Sequence, residues 1–115
     1  MKIKQFETEK TPFDISEWND EVKAFIKPLN GFERLELNDF FLTFYDKENK
    51  DDPEKRFDAA FRAALLALVD ENDAPLFSES DRDAVRAGSF LPFFRLFSTA
   101  LNFKKDEPLE SFKKN

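Results

Sequence analysis

Phenylalanine dominates this sequence. Sixteen of its 115 residues are Phe, whereas it has one Trp, one Tyr and one Met, and neither His nor Cys. Phe contributes apolar area and shape but no titratable group. Histidine is the commonest general base near neutral pH, and cysteine supplies thiolate nucleophiles and zinc ligands. The sequence therefore favours a protein that holds other surfaces over an enzyme, and it predicts no catalytic residue, cofactor or metal site.

The charge balance disfavours two classes of partner. Twenty-four acidic residues against 18 basic ones give a net charge of −6, which repels phosphate backbones and anionic lipid headgroups. The short basic pairs at 104–105 and 113–114 are better explained as favourable charges near a helix end. The N-terminus lacks the apolar stretch of a secretory signal, and the apolar run at 63–69 is too short to span a bilayer. We expect a soluble intracellular protein that binds neither nucleic acid nor membrane.

Short period-two stretches predict a β-hairpin at the N-terminus. Residues 13–16 and 22–27 combine β-branched and aromatic side chains, and residues 17–20 between them are typical of a turn. A preceding strand is expected around residues 3–6. Pro28 ends the second strand, because proline cannot donate a hydrogen bond to a neighbouring strand.

Capping signals predict helices in the remaining chain. Asn30 with Glu33 resembles a capping box that begins a helix ending near Tyr45, and Asp52-Pro53 begins a second, strongly amphipathic helix whose apolar stripe reaches Leu68. Two further helices begin at Ser78 and Ser89, and residues 108–114 form a final turn. The prediction is one mainly α domain over 1–115, a small helical domain of about four to five helices with an N-terminal β-hairpin. It comprises a hairpin region (1–29), a helical core (30–105) and a C-terminal tail or short helix (106–115).

The polar residues give little support to catalysis or metal binding. The acidic run around Asp70, Glu71 and Asp73 is typical of a solvated loop, and neither it nor residues 46–52 has the glycine that a calcium-binding EF-hand loop requires at its sixth position. The serines precede or follow apolar helices and have no histidine to activate them. No glycine-rich phosphate loop is present.

The phenylalanines are divided between core and surface in this interpretation. Phe57, Phe61, Phe93 and Phe97 are predicted to be core. The adjacent pairs at 40–41 and 93–94 cover different angles of their helices, and a domain of this size has little interior for both members. We therefore expect an exposed aromatic patch for self-association or partner capture. Its contact residues are expected within a pool that also contains core residues: Phe40, Phe41, Phe44, Phe90, Phe93 and Phe94.

Five segments in order resemble the tail assembly chaperones of long-tailed bacteriophages: 22–29 (VKAFIKPL), 30–34 (NGFER), 63–71 (AALLALVDE), 76–81 (LFSESD) and 95–102 (RLFSTALN). This resemblance implies a non-enzymatic protein of the host cytoplasm, encoded by a phage or prophage. It would bind the tape-measure protein and keep it soluble while tail-tube subunits polymerise around it, and it would be absent from the virion. Residues 72–74 stand where the family usually has a glycine-containing turn.

Three other functions stay open at this point. The chain could be a structural component of the phage tail or of the head–tail joint, which would be found in purified virions. It could be an acidic inhibitor that mimics DNA, although acids and lysines alternate along the sequence. An enzyme that uses carboxylates alone is the last alternative. A homo-oligomer is compatible with the chaperone hypothesis.

Overall fold

The computed structural model describes Met1, Lys2 and residues 9–101. Over these residues, four α-helices pack with a three-stranded antiparallel sheet and two 3-10 helices. The strands and helices are β1 (Thr11–Phe13), β2 (Ala24–Ile26), α1 (Gly31–Tyr45), a 3-10 helix (Lys47–Asn49), α2 (Pro53–Ala67), β3 (Leu68–Asp70), a 3-10 helix (Glu79–Asp81), α3 (Arg82–Ala87) and α4 (Leu91–Ala100).

Helix α1 begins at the predicted capping box. The Asn30 side chain accepts a hydrogen bond from the Glu33 amide at 2.8 Å, and the Glu33 carboxylate accepts one from the Asn30 amide at 3.0 Å. Two amides that the helix itself would leave unpaired are thereby satisfied. The Lys27 ammonium lies 2.6 Å from the same carboxylate and lowers the pKa of Glu33. The predicted beginning and end of this helix are both confirmed.

Helix α2 is the central element of the fold. It begins after Asp52, whose carboxylate accepts a hydrogen bond from the Lys55 amide at 3.1 Å, and Pro53 occupies its first turn as predicted. It packs along α1 and also contacts α3 and α4. Small side chains allow neighbouring helices to approach closely, and most of its buried positions are alanine. Its buried residues are Phe57, Ala59, Ala60, Phe61, Ala63, Ala64 and Ala67.

The predicted hairpin exists but is part of a larger sheet. Strands β1 and β2 are antiparallel, with Thr11 opposite Ile26, and residues 14–23 form a longer connection than the expected turn at 17–20. β2 also pairs with β3, placing Ile26 opposite Leu68. The chain leaves the helical conformation at Leu68, where β2 supplies pairing partners that the amphipathic pattern could not indicate. The mainly α description with a separate N-terminal hairpin is therefore incomplete, because the third strand follows α2.

The turn after β3 has an aspartate in a left-handed backbone conformation. Asp73 has a φ of 66°, in the left-handed region that favours glycine but that aspartate tolerates better than most residues. The Asp70 carboxylate accepts hydrogen bonds from the amides of Asn72 at 2.8 Å and Ala74 at 3.1 Å. These acids thus have a local role in shaping the turn.

The last two described helices begin near their predicted positions. A 3-10 turn after Ser78 leads into α3, which ends at Ala87, immediately before Gly88. The Ser89 hydroxyl accepts a hydrogen bond from the Leu91 amide at 3.1 Å, and α4 follows. The expected strand at 3–6 and the turn at 108–114 lie outside the described residues.

The connection between β1 and β2 is fixed to the helical layer. The Trp18 indole donates a hydrogen bond to the Ser89 carbonyl at 2.7 Å, and its ring meets Phe77 and Phe93 edge-on, each at 5.3 Å between centroids. Arg95 on α4 binds the Glu17 carboxylate through two hydrogen bonds of 2.7 and 2.9 Å, which lower the pKa of Glu17 to about 2. The hairpin thereby covers one side of α4.

Candidate partner-binding surface

The four phenylalanines predicted to be core are buried. Phe61, Phe93 and Phe97 are fully enclosed, and Phe57 is nearly so. Phe57 stacks on Phe61 at 5.8 Å and meets Phe93 edge-on at 6.3 Å. Aromatic pairs in these offset and edge-on arrangements add stability beyond the area that they bury. This cluster joins α2 to α4.

The six candidate contact residues differ in how deeply they are buried. Phe41, Phe44 and Phe93 are buried, Phe40 and Phe90 are half-buried against the core, and Phe94 is 40% exposed. Each adjacent pair is split, because neighbouring residues on a helix point about 100° apart. Phe41 and Phe93 face inward, whereas Phe40 and Phe94 lie nearer the surface.

Aromatic contacts join the end of α1 to the beginning of α4. The Phe44 ring lies 5.2 Å from Phe94 and 6.3 Å from Phe93, and Phe90 meets Phe93 at 5.4 Å. Phe41 reaches the same cluster through Phe97 at 5.6 Å. Five of the six candidates are thus brought together, and Phe40 packs against the core one position before Phe41 on α1. A change at a buried member of this cluster would disturb the fold as well as any contact.

A second set of apolar side chains lies on the solvent side of α1 and α4. Helix α1 points Leu37, Phe41 and Phe44 into the core, and at 3.6 residues per turn its positions 32, 35 and 42 fall on the opposite side. We name the exposed apolar residues of these two helices the outer band; they are Phe32, Leu35, Leu42 and Tyr45 on α1 with Leu91 and Phe94 on α4.

The two parts of the outer band meet at Tyr45. Its ring lies 5.6 Å from Phe94, and on the core side it contacts the buried rings of Phe41 at 4.7 Å and Phe44 at 5.2 Å. Partial burial raises the pKa of the Tyr45 phenol, although the nearby Arg56 opposes this shift. Leu42 lies one turn before Tyr45 on α1, and Leu91 lies one turn before Phe94 on α4. The apolar surface therefore continues across the junction of the two helices.

The backbone at this junction is held firmly. Arg56 on α2 donates a hydrogen bond from Nε to the Phe44 carbonyl at 2.7 Å, and the buried Asn49 donates one to the Thr43 carbonyl at 3.2 Å. Carbonyls in the last turn of a helix lack helical partners, so side-chain donors of this kind stabilise that end. The outer band is thus presented on a preorganised surface, which lowers the entropic cost of binding.

Carboxylates accompany the outer band. Asp39 is exposed on the same side of α1, between Leu35 and Leu42 in the sequence, and Glu36 lies beside it. Within the described parts of the chain, neither carboxylate has a cation within ion-pairing distance. Other acids on the helices are paired in part, as Asp58 is with Arg62 and Arg82. The outer band therefore combines apolar area with uncompensated negative charge.

Sequence reasoning concentrated on phenylalanine and missed part of this surface. Phe32, Leu35, Leu42, Tyr45 and Leu91 are not among its candidates. A signal was available, because α1 carries large apolar residues on every side and not along one stripe only. A helix that is apolar all round is either enclosed or has a second apolar face for a partner.

No group of three metal-ligating side chains occurs among residues 1–2 and 9–101. The Ser78 hydroxyl lies 2.7 Å from that of Ser80, and its amide donates to Asp81 at 2.9 Å, a capping arrangement at the start of a helix. An open depression of about 580 Å³ on the hairpin is lined by residues of the β1–β2 connection, including Asp14, Asn19 and Lys23.

Comparison with known protein families, curated proteins and solved structures finds no match to this chain. None of the helices in the described part of the chain has both the length and the apolar character needed to cross a membrane.

Proposed function

We propose that this chain is a non-enzymatic assembly chaperone of a long phage tail. It binds the tape-measure protein in the host cytoplasm, keeps it soluble while tail-tube subunits polymerise around it, and is absent from the finished virion. The observation that carries this proposal is the outer band, a firmly supported apolar surface on the side of α1 that faces away from the core.

The physical basis is the cost of exposed apolar surface. Burying a large aliphatic or aromatic side chain stabilises a complex by about 1.5–3 kcal/mol. A partner that covers Phe32, Leu35 and Leu42 therefore gains binding free energy. A long helical assembly protein presents many such surfaces of its own before it is enclosed. A chaperone with a net charge of −6 covers them and keeps the complex soluble.

A DNA-mimicking inhibitor needs free carboxylates spaced like phosphates. The unpaired carboxylates of Glu36 and Asp39 instead lie among exposed apolar residues of α1. That combination favours a partner that covers apolar area.

The proposal is tested by co-expression with the tape-measure protein encoded near this chain. We expect the tape measure to move from the pellet to the soluble fraction and to co-purify with the chain. An equally insoluble tape measure with no co-purified complex would contradict the proposal. Mass spectrometry of purified virions is the second measurement: stoichiometric amounts of the chain there would instead assign it to the tail or the head–tail joint.

A further inference from the structure

The carboxylates in the outer band indicate which charge its partner should have. Its apolar residues on α1 extend from Phe32 to Tyr45, which is roughly 20 Å along the helix axis at 1.5 Å per residue. A second helix of similar length that packs its ridges between these side chains would match this dimension. Such a helix would also cover Asp39, whose carboxylate lies on the same side.

Covering Asp39 with an apolar surface alone would be unfavourable. Removing a carboxylate from water without a compensating charge or hydrogen bond is costly, and this carboxylate has no cationic neighbour among the described residues. The half-buried Glu36, one turn before Asp39 on α1, adds to the negative potential. A partner that places lysine or arginine beside its apolar stripe satisfies both groups, whereas an acidic partner is repelled.

The same charges disfavour a second copy of this chain as the occupant. In a two-fold symmetric dimer, each residue near the axis faces its own counterpart or a near neighbour. Packing α1 on α1 would bring Asp39 and Glu36 of both copies into one apolar interface, between two chains that each have a net charge of −6. The local and overall charge both favour a cationic partner.

We propose that the outer band binds a cationic amphipathic helix, one with apolar residues at spacings of three and four and with lysine or arginine flanking that stripe. The assignment of this helix to the tape-measure protein rests on the proposed function. The choice of partner by charge rests only on Asp39, Glu36 and the apolar residues around them.

The experiment uses the full chain and synthetic helical peptides of roughly 18 residues, long enough to cover the band. One labelled peptide has a leucine stripe flanked by lysine, and the matched peptide has glutamate in place of each lysine. Fluorescence anisotropy should detect binding of the lysine peptide, with an affinity that falls as NaCl is raised, and weak or undetectable binding of the glutamate peptide. Equal affinity for the two peptides would overturn the proposal.

Variants then locate the site. Leu35→Ser and Leu42→Ser should each weaken the lysine peptide about tenfold, whereas Val22→Ser, the same kind of change at an exposed residue of the hairpin, should leave binding unchanged. Asp39→Lys should weaken the lysine peptide about fivefold and strengthen the glutamate peptide by a similar factor. The control Asp83→Lys, on the exposed side of α3, should change neither. A loss with Asp83→Lys equal to that with Asp39→Lys would show that only overall charge matters and would overturn the assigned site.

Two other occupants are distinguished by the same measurements. Concentration-dependent dimerisation of the chain that Leu42→Ser abolishes would assign the band to a second copy. A peptide of residues 102–115, which contains four lysines and three large apolar residues, would assign it to the chain's own terminus if it bound more tightly than the lysine peptide. Either result would overturn the proposal. If the tape measure is solubilised equally by the wild type and by Leu35→Ser/Leu42→Ser, the proposed function stands and the assignment of the outer band to the tape measure fails.

Discussion

Helices α1 and α2 have the same length, 15 residues, and pack against each other, yet they distribute their apolar residues differently. α2 hides Phe61 and its alanines and turns charged residues such as Lys55 and Arg62 to the solvent. α1 buries Leu37, Phe41 and Phe44 and also exposes Phe32, Leu35 and Leu42 on its other side. Folding of the described chain accounts for the sequence of α2 but for only one side of α1.

This difference separates apolar residues that serve folding from those that serve contact. Scattered exposed apolar residues are ordinary on protein surfaces, but those of α1 share one side of one helix and continue through Tyr45 to Phe94 on α4. Mutations in the outer band should therefore change solubility and binding, whereas mutations at buried positions of α2 should change the free energy of unfolding.

The largest effect is expected from the most enclosed ring of α2. Phe61→Ala should lower the free energy of unfolding by about 3–5 kcal/mol, because it leaves a cavity where the ring is now fully enclosed. The matched change on α1, Phe32→Ala, should stay within about 0.5 kcal/mol, since that ring is 70% exposed. Urea denaturation followed by circular dichroism measures both. Similar losses of unfolding free energy for the two variants would show that exposed apolar residues of α1 contribute to folding as much as buried residues of α2 do.

The second-largest loss of stability is expected when a buried alanine of α2 is replaced by a larger residue. This change tests how tightly neighbouring side chains pack around α2. Ala64 has no exposed surface, so Ala64→Leu must displace neighbouring side chains and should cost about 1–3 kcal/mol. Ala84→Leu, at an exposed position of α3, should change stability by less than about 0.5 kcal/mol. Thermal unfolding of both variants is the measurement. A neutral Ala64→Leu would mean that α2 has free space beside it.

The capping box of α1 should have a smaller effect. Asn30→Ala removes the acceptor for the Glu33 amide and should cost about 1 kcal/mol. Asn30→Asp retains an acceptor and should restore most of the stability. Because the cap fixes where α1 begins, hydrogen exchange in its first turn should accelerate in Asn30→Ala. Unchanged exchange there would show that packing against α2 alone holds this end.

The ion pair that fixes the hairpin to α4 predicts a pH dependence. Binding to Arg95 lowers the pKa of Glu17 to about 2 from an ordinary value of 4.5. The folded state therefore gains stability from this pair above pH 4.5 and loses it as the pH falls towards 2. Glu17→Gln should lower stability at neutral pH and make its decline in acid shallower. Asp14, Glu33 and Asp58 also have lowered pKa values, so some decline should persist.

Urea titrations at several pH values measure this difference. Glu48→Gln is the matched control, because among the described residues no cation pairs with the Glu48 carboxylate. Parallel curves for the wild type and Glu17→Gln would contradict the expected coupling.

Local signals predicted the helices, and long-range pairing produced what they missed. Asn30 and Asp52 act on amides three residues away, so their effect is visible in the sequence itself. Strand β3 depends on β2, some 40 residues earlier, and Leu68 fits a helical stripe equally well until that partner is present. The depth of Phe93 and Phe94 likewise depends on how α4 is rotated against α1 and α2. Composition shows how many aromatic rings the chain has to place, but it does not show which of them the fold encloses.

The smallest effect on stability is expected at Leu42. Its comparison with Leu37 contrasts an exposed and a buried leucine of the same helix. Leu37→Ala should cost about 2–5 kcal/mol because Leu37 is fully enclosed, whereas Leu42→Ser should change the free energy of unfolding by no more than about 0.5 kcal/mol. Leu42→Ser should nevertheless raise the concentration at which the isolated chain stays soluble, since it interrupts the outer band. Light scattering and urea denaturation of the same samples give both quantities. A loss of stability at Leu42 close to that at Leu37 would mean that this side of α1 is already covered within the chain, and the surface would then have no need of a partner.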